Sequence, residues 1–118
     1  MADRININSV VFTGRLTHDL ELRGPGTSDE SEGQGEAVWT ILPVVTNKRA
    51  ANGGSRPVYL DVKIWNGAAR FFVDNAHKGS FVAVEGSLDQ YDNPEGGRWH
   101  FIAGENVELI GGRAKTRD

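Results

Sequence analysis

The sequence predicts an all-β domain, a five-stranded barrel with one short helix between its third and fourth strands. Two observations support this prediction: short runs in which apolar and polar residues alternate, separated by turn-forming clusters, and a single segment with helical spacing. A length of 118 residues, of which 38% are hydrophobic, suits one modest core. We therefore expect one domain over residues 1–112 and a short, basic, flexible tail over residues 113–118.

The predicted elements follow one another without an internal repeat or a second domain. Glycine interrupts the first strand at Gly14, which indicates a bulge or a tight bend, and the long fifth strand is expected to bend or break near Gly104. The second strand is apolar on both faces, so its pattern leaves the register open. A mobile acidic loop is expected at 23–36 and a polar, basic hairpin loop at 47–56. The strands are expected at residues 8–17, 37–46, 58–65, 80–88 and 99–110, and the helix at residues 67–77. This is the element order of the OB-fold, a partly open five-stranded Greek-key barrel.

The third predicted strand has the clearest alternation in the chain. Its polar face presents Tyr59, Lys63 and Trp65. Aromatic rings beside a cation suit the binding of single-stranded nucleic acid, because any base can stack on a ring, worth about 1–3 kcal/mol per base, while lysine neutralises a phosphate. The alternative is that a neighbouring loop or subunit buries both rings. Asp61 on the same face fits neither explanation well. The apolar face consists of Val58, Leu60, Val62 and Ile64.

Further aromatic and basic residues are candidates for the same surface. Trp39 either stacks on a base or packs beneath the barrel, and we favour packing. Trp99 follows the turn between the fourth and fifth strands, where it either reaches a ligand or forms a cross-strand aromatic pair. The basic candidates are Lys48, Arg49, Arg56 and Arg98.

The acidic charge balance weakens a nucleic-acid hypothesis without excluding it. The formal net charge is -3, but binding depends on how the charges are distributed over the surface. Acidic residues cluster in residues 29–36, whereas basic residues cluster in residues 48–56 and 113–117.

Several classes of function find no support in the sequence. There are no cysteines for disulfides or for cysteine zinc sites. The three histidines lack metal-ligand spacing, and no nucleophile triad or phosphate-binding loop stands out. No segment has the length of a membrane helix or the character of a signal region. We therefore expect no catalysis, no metal or cofactor, no membrane association and a cytoplasmic location.

Three segments, in order and spanning almost the whole chain, follow the patterns of one known family. Residues 8–23 resemble N-x-V-x-L-x-G-x-L-x-x-D-P-E-x-R, with Leu20 in place of the usual proline. Residues 78–88 follow K-G-x-x-V-x-V-x-G-x-L, and residues 103–113 are similar to a closing strand with a glycine pair. Together they resemble the bacterial and phage single-stranded DNA-binding proteins. The resemblance implies an OB-fold that forms a homo-oligomer, usually a tetramer, with a dimer as the alternative. It also implies binding and protection of single-stranded DNA, without strong sequence specificity, in replication, repair and recombination.

Carried over residue by residue, the resemblance places Tyr59 and Trp65 at base-stacking positions of the third strand and Arg15 near the DNA path. The family often has an aromatic residue after the second strand, where this chain has Lys48 and Arg49. These side chains hold phosphate but stack less well, so the resemblance leaves a base contact there unsupported.

Two further departures concern the loop after the fourth strand and the C-terminus. That loop is usually basic with an aromatic residue; here residues 89–95 are acidic, and Tyr91 takes the place of the ring. Bacterial members continue through a linker to an acidic tip that recruits other proteins. This sequence ends in a basic segment instead, so it is either truncated or a short phage or plasmid variant, and we expect no tail-mediated recruitment.

Two other functions stay open. The acidic loops at 29–36 and 89–95 are compatible with an OB-fold assembly or interaction subunit that has only weak DNA affinity. The same aromatic surface could also bind single-stranded RNA.

Overall fold

The structure is a computed structural model that describes residues 6–24 and 37–111. Most of the predicted loop at 23–36 and the predicted tail at 113–118 therefore lie outside the described residues. The order of elements is the predicted one, with a single helix between the third and fourth strands. The elements are β1 (Val10–Leu16), β2 (Trp39–Arg49), β3 (Ser55–Trp65), α1 (Asn66–Asn75), β4 (Phe81–Asp92) and β5 (Arg98–Gly111).

The five strands close into a barrel in the order β1-β2-β3-β5-β4. All neighbouring strands are antiparallel except β3 and β5, which are parallel. The element order predicted a partly open barrel, and the ladder in fact closes all the way round. Closure is narrow at two junctions, since the β1–β2 and β3–β5 ladders each contain two residue pairs. The predicted all-β OB-fold architecture is confirmed.

The core lies inside the barrel and is closed at one end by the helix. On β3 the predicted apolar face turns inward, and Val62 and Ile64 are fully buried. On β2, whose register the sequence left open, the inward residues include Thr40. Its buried hydroxyl donates a hydrogen bond of 2.9 Å to the carbonyl oxygen of Glu21, so the polar group is satisfied. The helix contributes Ala69 and Phe72 to the core. Its ten residues are too few to cross a membrane. No helix in the described residues is long and apolar enough to do so.

Two hairpins extend further than predicted. Residues 47–57 form a β2–β3 arm, so the predicted basic loop is mostly strand around a tight turn in which the Ala50 N–H donates to the Gly54 carbonyl oxygen at 2.7 Å. Residues 88–100 form a β4–β5 arm, and all of them are exposed. Neither arm has a buried apolar face, so the alternation that reveals a half-buried strand is missing from both sequences.

The glycines within β1 and β5, Gly14 and Gly104, have different structural roles. A Cβ atom at Gly14 would lie 2.5 Å from the carbonyl oxygen of Val45, so this glycine permits a close approach of β1 to β2. Next to Gly104 the β4–β5 register shifts, which leaves Glu105 unpaired in a β-bulge. The fifth strand, expected to bend or break near Gly104, therefore has a bulge there, whereas the β1–β4 ladder passes Gly14 without a register shift.

Candidate nucleic-acid interface

The outer face of β2 and β3 brings the predicted aromatic residues together. Directly opposite residues on neighbouring antiparallel strands share a face. Trp39 lies opposite Trp65, and Lys63, two residues before Trp65, lies opposite Ile41 on the same face. The alternation predicted for β3 is confirmed, because Tyr59 is 70% exposed while Val62 and Ile64 are buried.

Lys63 lies at the centre of a cluster of rings. Its Nζ is 4.3 Å from the ring centroid of Trp39, 5.5 Å from that of Trp65 and 5.8 Å from that of Phe101. These distances are within the range of cation–π attraction. Trp99 stacks on Phe101, with centroids 4.6 Å apart and an interplanar angle of 26°. These five residues are called the aromatic cluster below.

The sequence interpretation missed Phe101 as a member of this surface. Phe101 is only 6% exposed, although it belongs to the outer face, because Trp99 covers one side of it. Trp99 and Phe101 are two residues apart on one strand and therefore share a face. The spacing Trp-x-Phe in a predicted strand was the available signal.

The rings differ in how much of their surface is open. Trp39 and Trp65 are half-buried, so Trp39 is neither fully packed nor fully free. Trp99 is 36% exposed, and Tyr91, which lies opposite it on β4, is 55% exposed. Trp99 thus has an aromatic residue opposite it on the neighbouring strand, as one of its two sequence alternatives requires, and part of its surface stays exposed. The aromatic surface continues along the β4–β5 arm through Tyr91.

Arg15 reaches the same outer face from β1. It lies opposite Val45 of β2, which in turn lies opposite Tyr59 of β3. On its other side Arg15 lies opposite Phe81 of β4, with the guanidinium 4.5 Å from the ring centroid. One row therefore crosses four strands, and beside Arg15 lies an open groove of about 350 Å³.

The three basic residues of the β2–β3 arm lie on two faces. Arg49 shares the face of Tyr59, because both occupy outward positions of the paired strands. Lys48 and Arg56 lie directly opposite each other on the other face. All three are exposed, and the described part of this arm contains no acidic residue.

The β4–β5 arm has the opposite charge. It contains three acidic residues and one basic residue, Arg98. The Nε of Arg98 donates to Oδ1 of Asp92 at 2.8 Å, so its charge is already balanced by a neighbour. Asp61, between Tyr59 and Lys63 on β3, makes no ion pair within the described ranges. The acidic residues of the arm are Asp89, Asp92 and Glu95.

No group of three His, Asp or Glu side chains within residues 6–24 and 37–111 could hold a metal ion. The arrangement instead combines open rings with exposed cations, which is the arrangement of a surface for stacking bases and contacting phosphates.

Comparison with known proteins identifies relatives along most of the chain. The model of the Single-strand binding protein family matches residues 7–101. A single-stranded DNA-binding protein of Lactiplantibacillus plantarum is 32% identical over 115 residues, which are 93% of this chain and 54% of the relative. One of Streptococcus mutans is 30% identical over 116 residues, or 95% of this chain and 66% of the relative. The chain thus spans about half to two thirds of the length of these relatives.

A solved structure shows the same fold. The crystal structure of the wild-type single-stranded DNA binding protein from Thermus aquaticus superposes with a TM-score of 0.71 at 20% sequence identity, covering 92% of this chain and 52% of that one. The resemblance to this family that the sequence segments indicated is confirmed. By the match over residues 7–101, the chain belongs to the single-strand binding protein family.

Proposed function

We propose that this chain binds and protects single-stranded DNA without strong sequence preference, across the outer face of β2 and β3. The observation that carries the proposal is the arrangement on β3, where Tyr59 and Trp65 flank Lys63 on one face next to Trp39. Stacking on such rings tolerates any base, because every base has a π-face. The names of the relatives from L. plantarum and S. mutans support the same ligand.

The bases would stack on the open rings. Tyr59 is the most exposed of them, and Trp65, Trp99 and Tyr91 extend the surface towards the β4–β5 arm. Trp39 supports this surface from the side, since Lys63 already lies over its ring at 4.3 Å. The site would therefore be continuous from β3 to the tip of one arm.

The phosphates would be held by the cations that share this face. Arg15 and Arg49 lie on the face of Tyr59, and the groove beside Arg15 leaves room for a strand to pass. Lys48 and Arg56 would contribute where the strand bends around the β2–β3 arm. Arg98 would contribute least, because Asp92 neutralises it.

The proposal extends to the biological setting of the family. We propose roles in DNA replication, repair and recombination, a cytoplasmic location and a DNA-binding domain over residues 1–112. We also propose a homo-oligomer, with a tetramer favoured over a dimer. Val11 of β1 is 73% exposed and Ile110 of β5 is 59% exposed. Such apolar exposure away from the aromatic cluster supports contact with further copies of the chain.

A titration with fluorescently labelled oligo-dT tests the ligand. Anisotropy should report binding that weakens steeply between about 50 mM and 200 mM salt, because phosphate contacts release counterions. Light scattering on the same samples gives the number of chains per complex. Absence of binding, or an affinity indifferent to salt, would refute the proposal.

A second candidate function is favoured by the charge of the β4–β5 arm. Its three acidic residues against one paired arginine suit an interaction subunit with weak DNA affinity. Co-elution with a protein partner but not with oligo-dT would support that function. Competition between oligo-dT and oligo-U in the same titration separates DNA from RNA as the ligand.

A further inference from the structure

We propose that Lys63 is a positioning residue, which holds Trp39 and Trp65 in place for base stacking and does not contact phosphate itself. The sequence pattern alone had suggested a phosphate contact for this lysine. The inference rests on the proposed function, since the rings matter only if bases stack on them.

The surroundings of the ammonium group support this role. Trp39, Trp65 and Phe101 approach Nζ from three strands, at 4.3, 5.5 and 5.8 Å from their centroids. The side chain is half-buried and makes no ion pair with any carboxylate in the parts of the chain that are described. A charge-assisted bond to a phosphate oxygen requires a distance of about 2.7–2.9 Å. The rings already surround the ammonium with attractive π-faces, so a phosphate oxygen could approach it only from a side that the rings leave open.

Lys63 places a cation over both indole rings, while the guanidinium of Arg23 lies over Trp39 alone, 5.9 Å from its centroid. Neither indole nitrogen has a hydrogen-bond partner among residues 6–24 and 37–111. Trp39 and Trp65 lie opposite each other on β2 and β3, and the ammonium is the charged group that contacts both. Without it, the rings would gain rotamer freedom that must be lost again when a base stacks. Removal of the cation should therefore weaken stacking while the phosphate contacts stay the same.

The salt dependence of binding separates the two roles of Lys63. Each phosphate contact with a single strand contributes about 0.7 to the slope of log K against log salt. A positioning residue changes the affinity but leaves that slope unaltered. Arg49, exposed on the same face, is the matching side chain for a phosphate contact.

The experiment uses labelled oligo-dT and the variants Lys63→Met, Lys63→Arg, Arg49→Met and Lys78→Met. Lys63→Met keeps the length of the side chain and removes the charge; it should weaken binding about threefold to tenfold, with the wild-type slope. Lys63→Arg keeps a cation over the rings and should restore most of the affinity. Arg49→Met should lower the slope by about 0.7. Lys78→Met removes an exposed lysine outside the site and should match the wild type.

Near-ultraviolet circular dichroism of the DNA-free proteins provides the second measurement. Lys63→Met should alter the tryptophan signal, and Lys63→Arg should leave it nearly unaltered. A slope that falls by about 0.7 in Lys63→Met would overturn the inference, because it would reveal a phosphate contact. Unchanged affinity and an unchanged tryptophan signal in Lys63→Met would overturn it too. If the wild-type protein does not bind oligo-dT, the proposed function itself fails. That outcome is distinguishable from the two results in Lys63→Met that would overturn the inference alone.

Discussion

Replacement of Tyr59 by alanine should separate DNA binding from folding. The ring is 70% exposed on β3 and lies opposite Val45, outside the aromatic cluster. Its loss leaves no cavity, so the free energy of unfolding should change by no more than about 0.5 kcal/mol. If a base stacks on it, the binding free energy should fall by about 1–3 kcal/mol. That loss corresponds to an affinity about 5-fold to 140-fold lower.

Two substitutions at Tyr59 and two measurements test this reasoning. Tyr59→Phe keeps the π-face and should bind oligo-dT nearly as well as the wild type. Tyr59→Leu keeps apolar surface without the ring and should behave like Tyr59→Ala. Affinity is read from the anisotropy of labelled oligo-dT, and stability from urea unfolding of the same preparations. Wild-type affinity in Tyr59→Ala, or a loss of stability as large as the loss of binding, would refute a stacking role.

Substitutions at three further positions have expected outcomes. Trp65→Ala should weaken oligo-dT binding by about 1–3 kcal/mol; unlike Tyr59→Ala, it should also lower stability in urea by about 1–2 kcal/mol, because the ring is half-buried. An unchanged affinity would show that this ring is structural. Asp92→Asn should remove the carboxylate charge that balances Arg98 at 2.8 Å, raise the affinity and steepen the salt slope by about 0.7; a slope equal to that of the wild type would contradict this. Asn66 has a φ of 54°, so Asn66→Ala should cost about 1–2 kcal/mol in thermal unfolding, and Asn66→Gly should cost less. Equal losses would show that the backbone there is not strained.

The part of the fold that could be predicted is the part with one buried face. On β3, the alternation of Val62 and Ile64 with exposed residues is imposed by the core and is visible in the sequence. The two arms were predicted too short, since their ladders continue where neither face is buried. The ends of β2 and β4, at Arg49 and Asp92, therefore carry no periodic signal. An irregularity near Gly104 was predicted as a bend or break, because a glycine in a strand is unusual, and its form as a bulge was not.

The sequence predicted most residues of the candidate site, but it did not predict how those residues are arranged in space. Alternation identifies Tyr59 and Trp65 as neighbours on one face. The approach of Phe101 to Lys63 depends on how β5 lies against β3, which is a contact distant in sequence. In the same way, the separation of Arg49 from Lys48 follows from strand pairing that the predicted loop did not include. Local patterns report burial along one strand, whereas these relations depend on the register between strands.

The opposite charges of the two arms have a consequence for how a strand first meets the protein. The β2–β3 arm presents three cations, while the β4–β5 arm presents three carboxylates and one paired arginine. A polyanion is attracted to the first arm and repelled from the second before any ring is touched, which orients the encounter complex. Single-stranded DNA should therefore first contact the β2–β3 arm and then spread across the outer face of β3. Added salt should slow arrival more than it speeds departure, because the stacked rings carry no charge that ions can screen.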